Sequence, residues 1–163
     1  MDRYTPEVGR KFYADGRVRQ FAGNTIICHL DPTSEIFKAA LVTQAALRDT
    51  GYGRKFALLP PESLHMTVIE LLCDETRRPE KWSSRLELTA SLNETDEFFL
   101  KTVPPITKPA AFEMRPETIS THNMLIRLSP CDAATAENLR HYRDAVAAAT
   151  GVRFPNHDSY GFH

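Results

Sequence analysis

Cysteine is scarce and scattered, with Cys28, Cys73 and Cys131 far apart in 163 residues, odd in number and without a Cys-x-x-Cys pair. That pattern excludes a disulfide framework and a zinc knuckle, so the thiols are expected to be reduced and in the core. Long apolar runs are missing too, and the opening Met1-Asp2-Arg3-Tyr4-Thr5-Pro6 is charged, unlike a signal peptide. A cytoplasmic chain with no membrane partner is the resulting expectation. Net charge is nearly absent, because 20 Lys plus Arg stand against 21 Asp plus Glu, so no bulk field would hold a long nucleic acid by counterion release. A short phosphate ligand stays open. None of the seven glycines builds a glycine-rich phosphate loop, and no histidine has the His-x-x-x-His or mixed-carboxylate spacing of a metal site. No metal or cofactor is expected.

What is present is enough for one core, since 42% of the side chains are apolar in a chain of single-domain length. Residues 1–20, with Arg3, Arg10, Lys11, Arg17 and Arg19, read as an irregular, solvated lead-in. From Asn24 to Leu30 the chain is β-branched and apolar, which predicts a strand ended by Asp31-Pro32. A helix follows over 33–50, with Thr33 or Ser34 as N-cap and Gly51 closing it. Phe56 to Leu59 predicts a short strand, Pro60-Pro61 a break, and Leu64 to Leu72 a second apolar strand. Residues 79–92 and 95–102 predict helical pieces anchored by Trp82, Leu86, Phe98, Phe99 and Leu100. Ala110 to Arg115 predicts a strand with Phe112 and Met114 facing in, followed by a turn over Glu117 to Thr121.

The first series then returns: Asn123 to Pro130 predicts a strand ended by proline, and Ala133 to Thr150 a helix closed by Gly151, its apolar face made of Leu139, Tyr142, Val146 and Ala149. The register agrees, because 65 − 32 = 33 positions separate Pro32 from His65 and 163 − 130 = 33 separate Pro130 from His163. This predicts an internal duplication that sets His163 where His65 stands. The expected fold class is α+β, one bilobal domain over 1–163 with two pseudo-symmetric lobes of β-α-β repeats and antiparallel sheets around a cleft. The first lobe would cover 21–103 with a helical insertion, and the second, 110–163, would be incomplete.

Chemistry gathers at His65-Met66-Thr67. Strand alternation puts the imidazole and the hydroxyl on one face, about 7 Å apart, with Met66 and Val68 on the other and Glu70 outside, beyond reach. A lone His-x-Thr is a weak signal, yet a second histidine at the equivalent place makes a reagent pair. One neutral imidazole can take a proton while the other, protonated, gives one to a departing oxygen. A hydroxyl two residues on can donate to a phosphoryl oxygen as charge develops.

Leu64-His65-Met66-Thr67-Val68 resembles the first His-x-Thr motif of the two-histidine phosphoesterase, or 2′-5′ RNA ligase-like, superfamily. The stretches Gly23 to Leu30 and Asp158 to His163 resemble an uncharacterised bacterial branch of it. The resemblance spans roughly 20–163 and implies two similar α+β lobes around a cleft, each with one His-x-Thr/Ser motif. It implies a metal-independent phosphoric diester hydrolase or related enzyme for a cyclic or 2′-5′/2′,3′-linked phosphodiester of a nucleotide, an RNA end or a small metabolite. His65, Thr67 and His163 would be its catalytic residues. The hydroxyl expected two residues after His163 lies beyond the last residue, so a fragment or a broken half-site is expected. An inactive phosphate- or nucleotide-binding module is the alternative outcome.

Tyr160 and Phe162 offer either an aromatic surface to a base or core packing. Asn24 could orient a catalytic histidine or simply start its strand. Arg127 stands among apolar neighbours, so its charge must reach solvent, a carboxylate or a phosphate. His29, at a strand end, reads as structural, His122 as a turn or surface residue, and His141, beside Arg140 and Arg143, as part of a solvated helix face. His157-Asp158 reads as turn chemistry.

Overall fold

A computed structural model describes residues 4–120 and 125–163, which leaves Met1, Asp2, Arg3, Thr121, His122, Asn123 and Met124 outside the described residues, the lead-in cation Arg3 among them. The strand start expected at Asn123 and the turn role of His122 therefore lie outside it. The described elements are strand β1 (Gly23–His29), helix α1 (Glu35–Arg48), β2 (His65–Cys73), α2 (Leu92–Thr102), β3 (Met114–Ile119), β4 (Ile126–Pro130) and α3 (Ala133–Thr150). This is an α+β chain with two two-stranded sheets, β1 with β2 and β3 with β4. Among the described residues, no helix is long and apolar enough to cross a membrane.

The described residues form two compact units. The first takes residues from Met1–Phe21 and Cys28–Met66, the second from Ala22–Ile27 and Thr67–His163. Strands β1 and β2 each contribute residues to both units.

In the first unit, residues 8–18 turn back on themselves through bridges Val8–Phe12 and Phe12–Val18. Its cations are stacked rather than loose, with Arg10 and Lys11 over Phe21 and Arg17 and Arg19 over Tyr13. Ser34 caps α1 by accepting from the Phe37 N–H. The helix ends at Arg48 with Asp49 still in the right-handed region, and the Thr50 hydroxyl donates to the Leu47 carbonyl at 2.8 Å. Gly51 therefore closes nothing by a left-handed cap, because this side-chain cap has already met the last carbonyls. No strand forms over 56–59 either. A 3-10 turn at Gly53–Lys55 precedes it, Pro60 follows, and Gln44 Nε2 already holds the Leu59 carbonyl at 3.0 Å.

The second unit holds most of the deep core: Val68, Ile69, Leu71, Leu72, Trp82, Phe99, Leu139, Tyr142, Val146, Ala147 and Val152 are buried. Asp132 caps α3 through Thr135 N–H, and Gly151 ends it in the left-handed region at φ 69°, as expected. Ala149 is only half-buried, and Ala147 takes its place on the inner face. Residues 79–92 are not a helix beyond one 3-10 turn, Pro79–Lys81. Their polar groups satisfy the end of α3 instead: Ser83 Oγ donates to the Thr150 carbonyl at 2.6 Å, Ser84 N–H to Gly151 at 3.0 Å, and Arg85 to Ala148 at 2.8 Å. Leu100 is 74% exposed, because α2 buries Thr95 and Phe99 and the next residue falls a hundred degrees round the helix. Cys131 is exposed, against the expectation of a core thiol, while Cys28 and Cys73 are half-buried.

Strand β3 lies further along than expected, running through Glu117 with a bulge between Pro116 and Thr118. Proline is tolerated there at an edge strand beside a bulge. The inner alternation of Phe112 and Met114 against Glu113 and Arg115 holds. On its other side β4 meets the chain's last residues, where Leu128 N–H donates to the Phe162 carbonyl at 3.0 Å. The next carbonyl, of His163, accepts from Thr67 N–H at 3.1 Å. Successive carbonyls of an extended segment point to opposite sides, so Phe162-His163 is stitched between β4 and β2.

Candidate active site

The duplication read in the sequence recurs as local geometry at one constant offset, 163 − 65 = 98. The two helix caps, Ser34 and Asp132, stand 98 apart, and so do the two helix starts, Glu35 and Ala133. Leu30 N–H donates to the Leu64 carbonyl at 3.2 Å, and its counterparts Leu128 and Phe162 repeat that bond at 3.0 Å. The histidines follow suit. His65 Nδ1 is 2.6 Å from the Ser63 carbonyl, and His163 Nδ1 is 3.1 Å from that of Gly161, the residue 98 positions on.

A carbonyl only accepts, so each neutral ring carries its proton on Nδ1 and leaves Nε2 with a lone pair. That is the tautomer a proton acceptor needs, and protonation makes the same Nε2 a donor. His65 is exposed at the start of β2, and His163 is half-buried. Thr67 is 8% exposed. Beyond His65 the strand shows no polar-apolar alternation, since Met66 through Ile69 are all buried.

In the second unit a cavity of about 270 Å³ is lined by Arg127, Tyr160 and His163, with Ser120, Asn156 and Ser159. The geometry thus brings together three residues that the sequence singled out. Arg127 is exposed, packs an Nη against Gly161, and has no carboxylate partner among the described residues. Its charge faces open space suited to an anion.

Tyr160 is differently placed than a base-stacking ring would be. Its ring lies 5.2 Å from the Arg143 guanidinium and 5.6 Å from the His163 ring, so two neighbours already occupy its surroundings. Burial, then the negative charge of Glu70, push its hydroxyl up to about 12, with Thr67 and Arg143 acting in the opposite sense. The hydroxyl is buried without a hydrogen bond of ordinary geometry, so its approach to Thr67 falls short of a formed bond. Glu70 is exposed as expected and flanks Tyr160 and Arg143 in a small cleft that neither His65 nor Thr67 lines. Phe162 packs at 5.6 Å on Arg143, in the core role. Asn24 donates to Asp96 at 2.7 Å, tying β1 to α2, and lines no part of the cavity.

Two features escaped the sequence reading. Arg143 is not on a solvated face: it is 7% exposed, and burial pushes its guanidinium below the ordinary range, although the nearby charges oppose this. The signal available was its place among Leu139, Tyr142 and Val146 on the helix's apolar stripe. His157, read as turn chemistry, is buried and pairs through Nε2 with Asp144 at 2.9 Å. Arg140 and His141 do lie on an exposed face, and His29 is exposed.

Asp144, His157 and Asp158 bring one ligand atom each within 4.8 Å of one another. Arg153 already joins both carboxylates, at 3.1 Å to Asp144 and 2.7 Å to Asp158, and supplies the positive charge there. The His157 hydrogen bond, then Arg153, hold the Asp144 carboxyl below its usual 3.8. A depressed carboxylate contributes stability above its unfolded-state value and loses it as pH falls through the folded one. In a urea midpoint series from about pH 6 to pH 3, Asp144→Asn is expected to be less stable at pH 6 and to show a shallower acid decline. Parallel declines in both proteins would remove Asp144 as a source of acid sensitivity.

Two histidine-bearing segments related by an internal repeat, with a polar, arginine-lined cavity beside the second, make up the candidate site. Residues 11–125 match the family 2H-phosphodiest, described as a domain of unknown function (DUF1868), and the chain belongs to that family. The matched stretch contains His65 and Thr67. A conserved protein of unknown function from Agrobacterium tumefaciens, solved by crystallography, is similar at 26% identity with a TM-score of 0.89, over 100% of this chain and 69% of that one. No curated protein matches the chain. Membership supports a phosphoesterase-type function in general.

Proposed function

We propose that the protein is a metal-independent phosphoesterase that opens a cyclic or 2′-5′/2′,3′-linked phosphodiester of a nucleotide, an RNA end or a small metabolite. The carrying observation is that His65 and His163 occupy places 98 residues apart with the same Nδ1-to-carbonyl anchorage, and with Nε2 unbonded among the described residues. One imidazole takes the proton of a water that attacks phosphorus. The other, protonated, gives its proton to the oxygen that leaves as the P–O bond breaks. Thr67 donates its hydroxyl hydrogen to a non-bridging oxygen, and Arg127 holds the phosphate's charge.

The test is hydrolysis of a 2′,3′-cyclic mononucleotide with a chelator present. Turnover is expected to persist, and Thr67→Val to lower it by about 10²–10³-fold, the usual cost of one lost oxyanion donor. Turnover abolished by the chelator would sink the two-histidine mechanism. Saturable binding weakened by Thr67→Val, without product, would make the chain a binding module instead.

A further inference from the structure

The segment leading to each histidine is tied to the preceding helix at an equivalent carbonyl, six residues before the ring. In the first unit this is the Leu59 carbonyl, 65 − 6, held at 3.0 Å by the Gln44 amide of α1. In the second it is the His157 carbonyl, 163 − 6, held at 2.6 Å by an Arg143 Nη of α3. The other Nη of Arg143 donates to the Tyr160 carbonyl at 3.1 Å, and the guanidinium lies against the rings of both Tyr160 and Phe162. Tyr160 in turn rests on the His163 ring. A neutral, half-buried amide thus does for the first segment what a buried, four-contact cation does for the second.

We propose that Arg143 is the positioning residue of His163: it fixes the 157–163 arch so that the imidazole keeps its Nδ1 bond to Gly161 and presents Nε2. Burying a guanidinium is costly, and this one is offset in part by the arch: its two Nη groups donate to arch carbonyls and its plane lies against two arch rings, while Nε is buried without a hydrogen-bond partner among the described residues. Among the described residues the arch is also joined to α3 by the His157–Asp144 pair and by Arg153 bridging Asp158 to Asp144, both at the end far from His163, so the Arg143 bond to the Tyr160 carbonyl is the hold nearest the ring. The two half-sites are therefore unequal, with His163 held rigidly and His65 by a lighter hold. This extends the reading of His163 as a catalytic histidine, and its first readout does not depend on turnover.

Arg143→Gln gives the second half the amide found in the first. In imidazole nitrogen NMR of the full chain, wild-type His163 is expected as a single Nδ1–H tautomer and the folded R143Q as a mixture. With a 2′,3′-cyclic mononucleotide, kcat should fall about 10- to 100-fold with KM within about twofold, and Arg143→Lys should recover part of the loss. If R143Q does not fold, Phe162→Leu carries the same test, because it removes one ring from the guanidinium and installs the residue found at the equivalent Leu64. A folded variant whose His163 tautomer is unchanged overturns the proposal. A tautomer change in a protein that turns over no phosphodiester supports the anchor and retires the phosphoesterase reading.

Discussion

Alanine at either His65 or His163 is expected to lower turnover of a cyclic phosphodiester by about 10²–10⁴-fold, the range that a positioned acid or base supplies. The chain should stay folded. His65 is exposed, His163 is half-buried, and among the described residues each ring bonds only to a carbonyl of its own segment, so truncation strips no described partner element. On the proposed sharing of acid and base duties, the double variant should be scarcely worse than the poorer single one, as expected for residues acting as a unit. Steady-state hydrolysis, with circular dichroism as the check on folding, measures both points. Additive losses would mean two independent contributions.

Leu139→Ala is expected to remove about 2–5 kcal/mol of stability, read as a lower urea midpoint with an unchanged slope. Leu139 is 1% exposed and stands on the α3 stripe with Val146, which is fully buried. The cavity left there could not close cheaply, since the helix is tied at its end by Ser83 and Arg85 and along its length by Arg143. A loss under 1 kcal/mol would show that the α3 stripe packs loosely.

The repeat was legible because its parts are strong local signals: an apolar β-branched strand, a proline stop, a cap two residues later and a histidine at fixed distance. Ser34 and Asp132 both cap, and Gly151 ends α3 in the left-handed region. The failures fall where a tertiary partner replaced the local rule. Residues 79–92 gave up a helix to bond the end of α3, and Leu59 gave up a strand to Gln44. Arg143 was misread because a charge on a helix reads as solvated, and only the folded arch supplies the carbonyls that make its burial tolerable. Tyr160 drew notice in the sequence as an aromatic surface, but its place against Arg143 and His163 was not legible, since no sequence spacing announces that they lie against its ring.

The central claim is that His65 and His163 are the matched halves of one reagent pair. Following both imidazoles by nitrogen NMR while titrating a 2′,3′-cyclic mononucleotide into the protein tests it most directly. Both rings should begin as Nδ1–H tautomers and shift over the same range of ligand concentration. A ligand that moves His163 alone and leaves His65 unchanged to saturation would contradict the pairing.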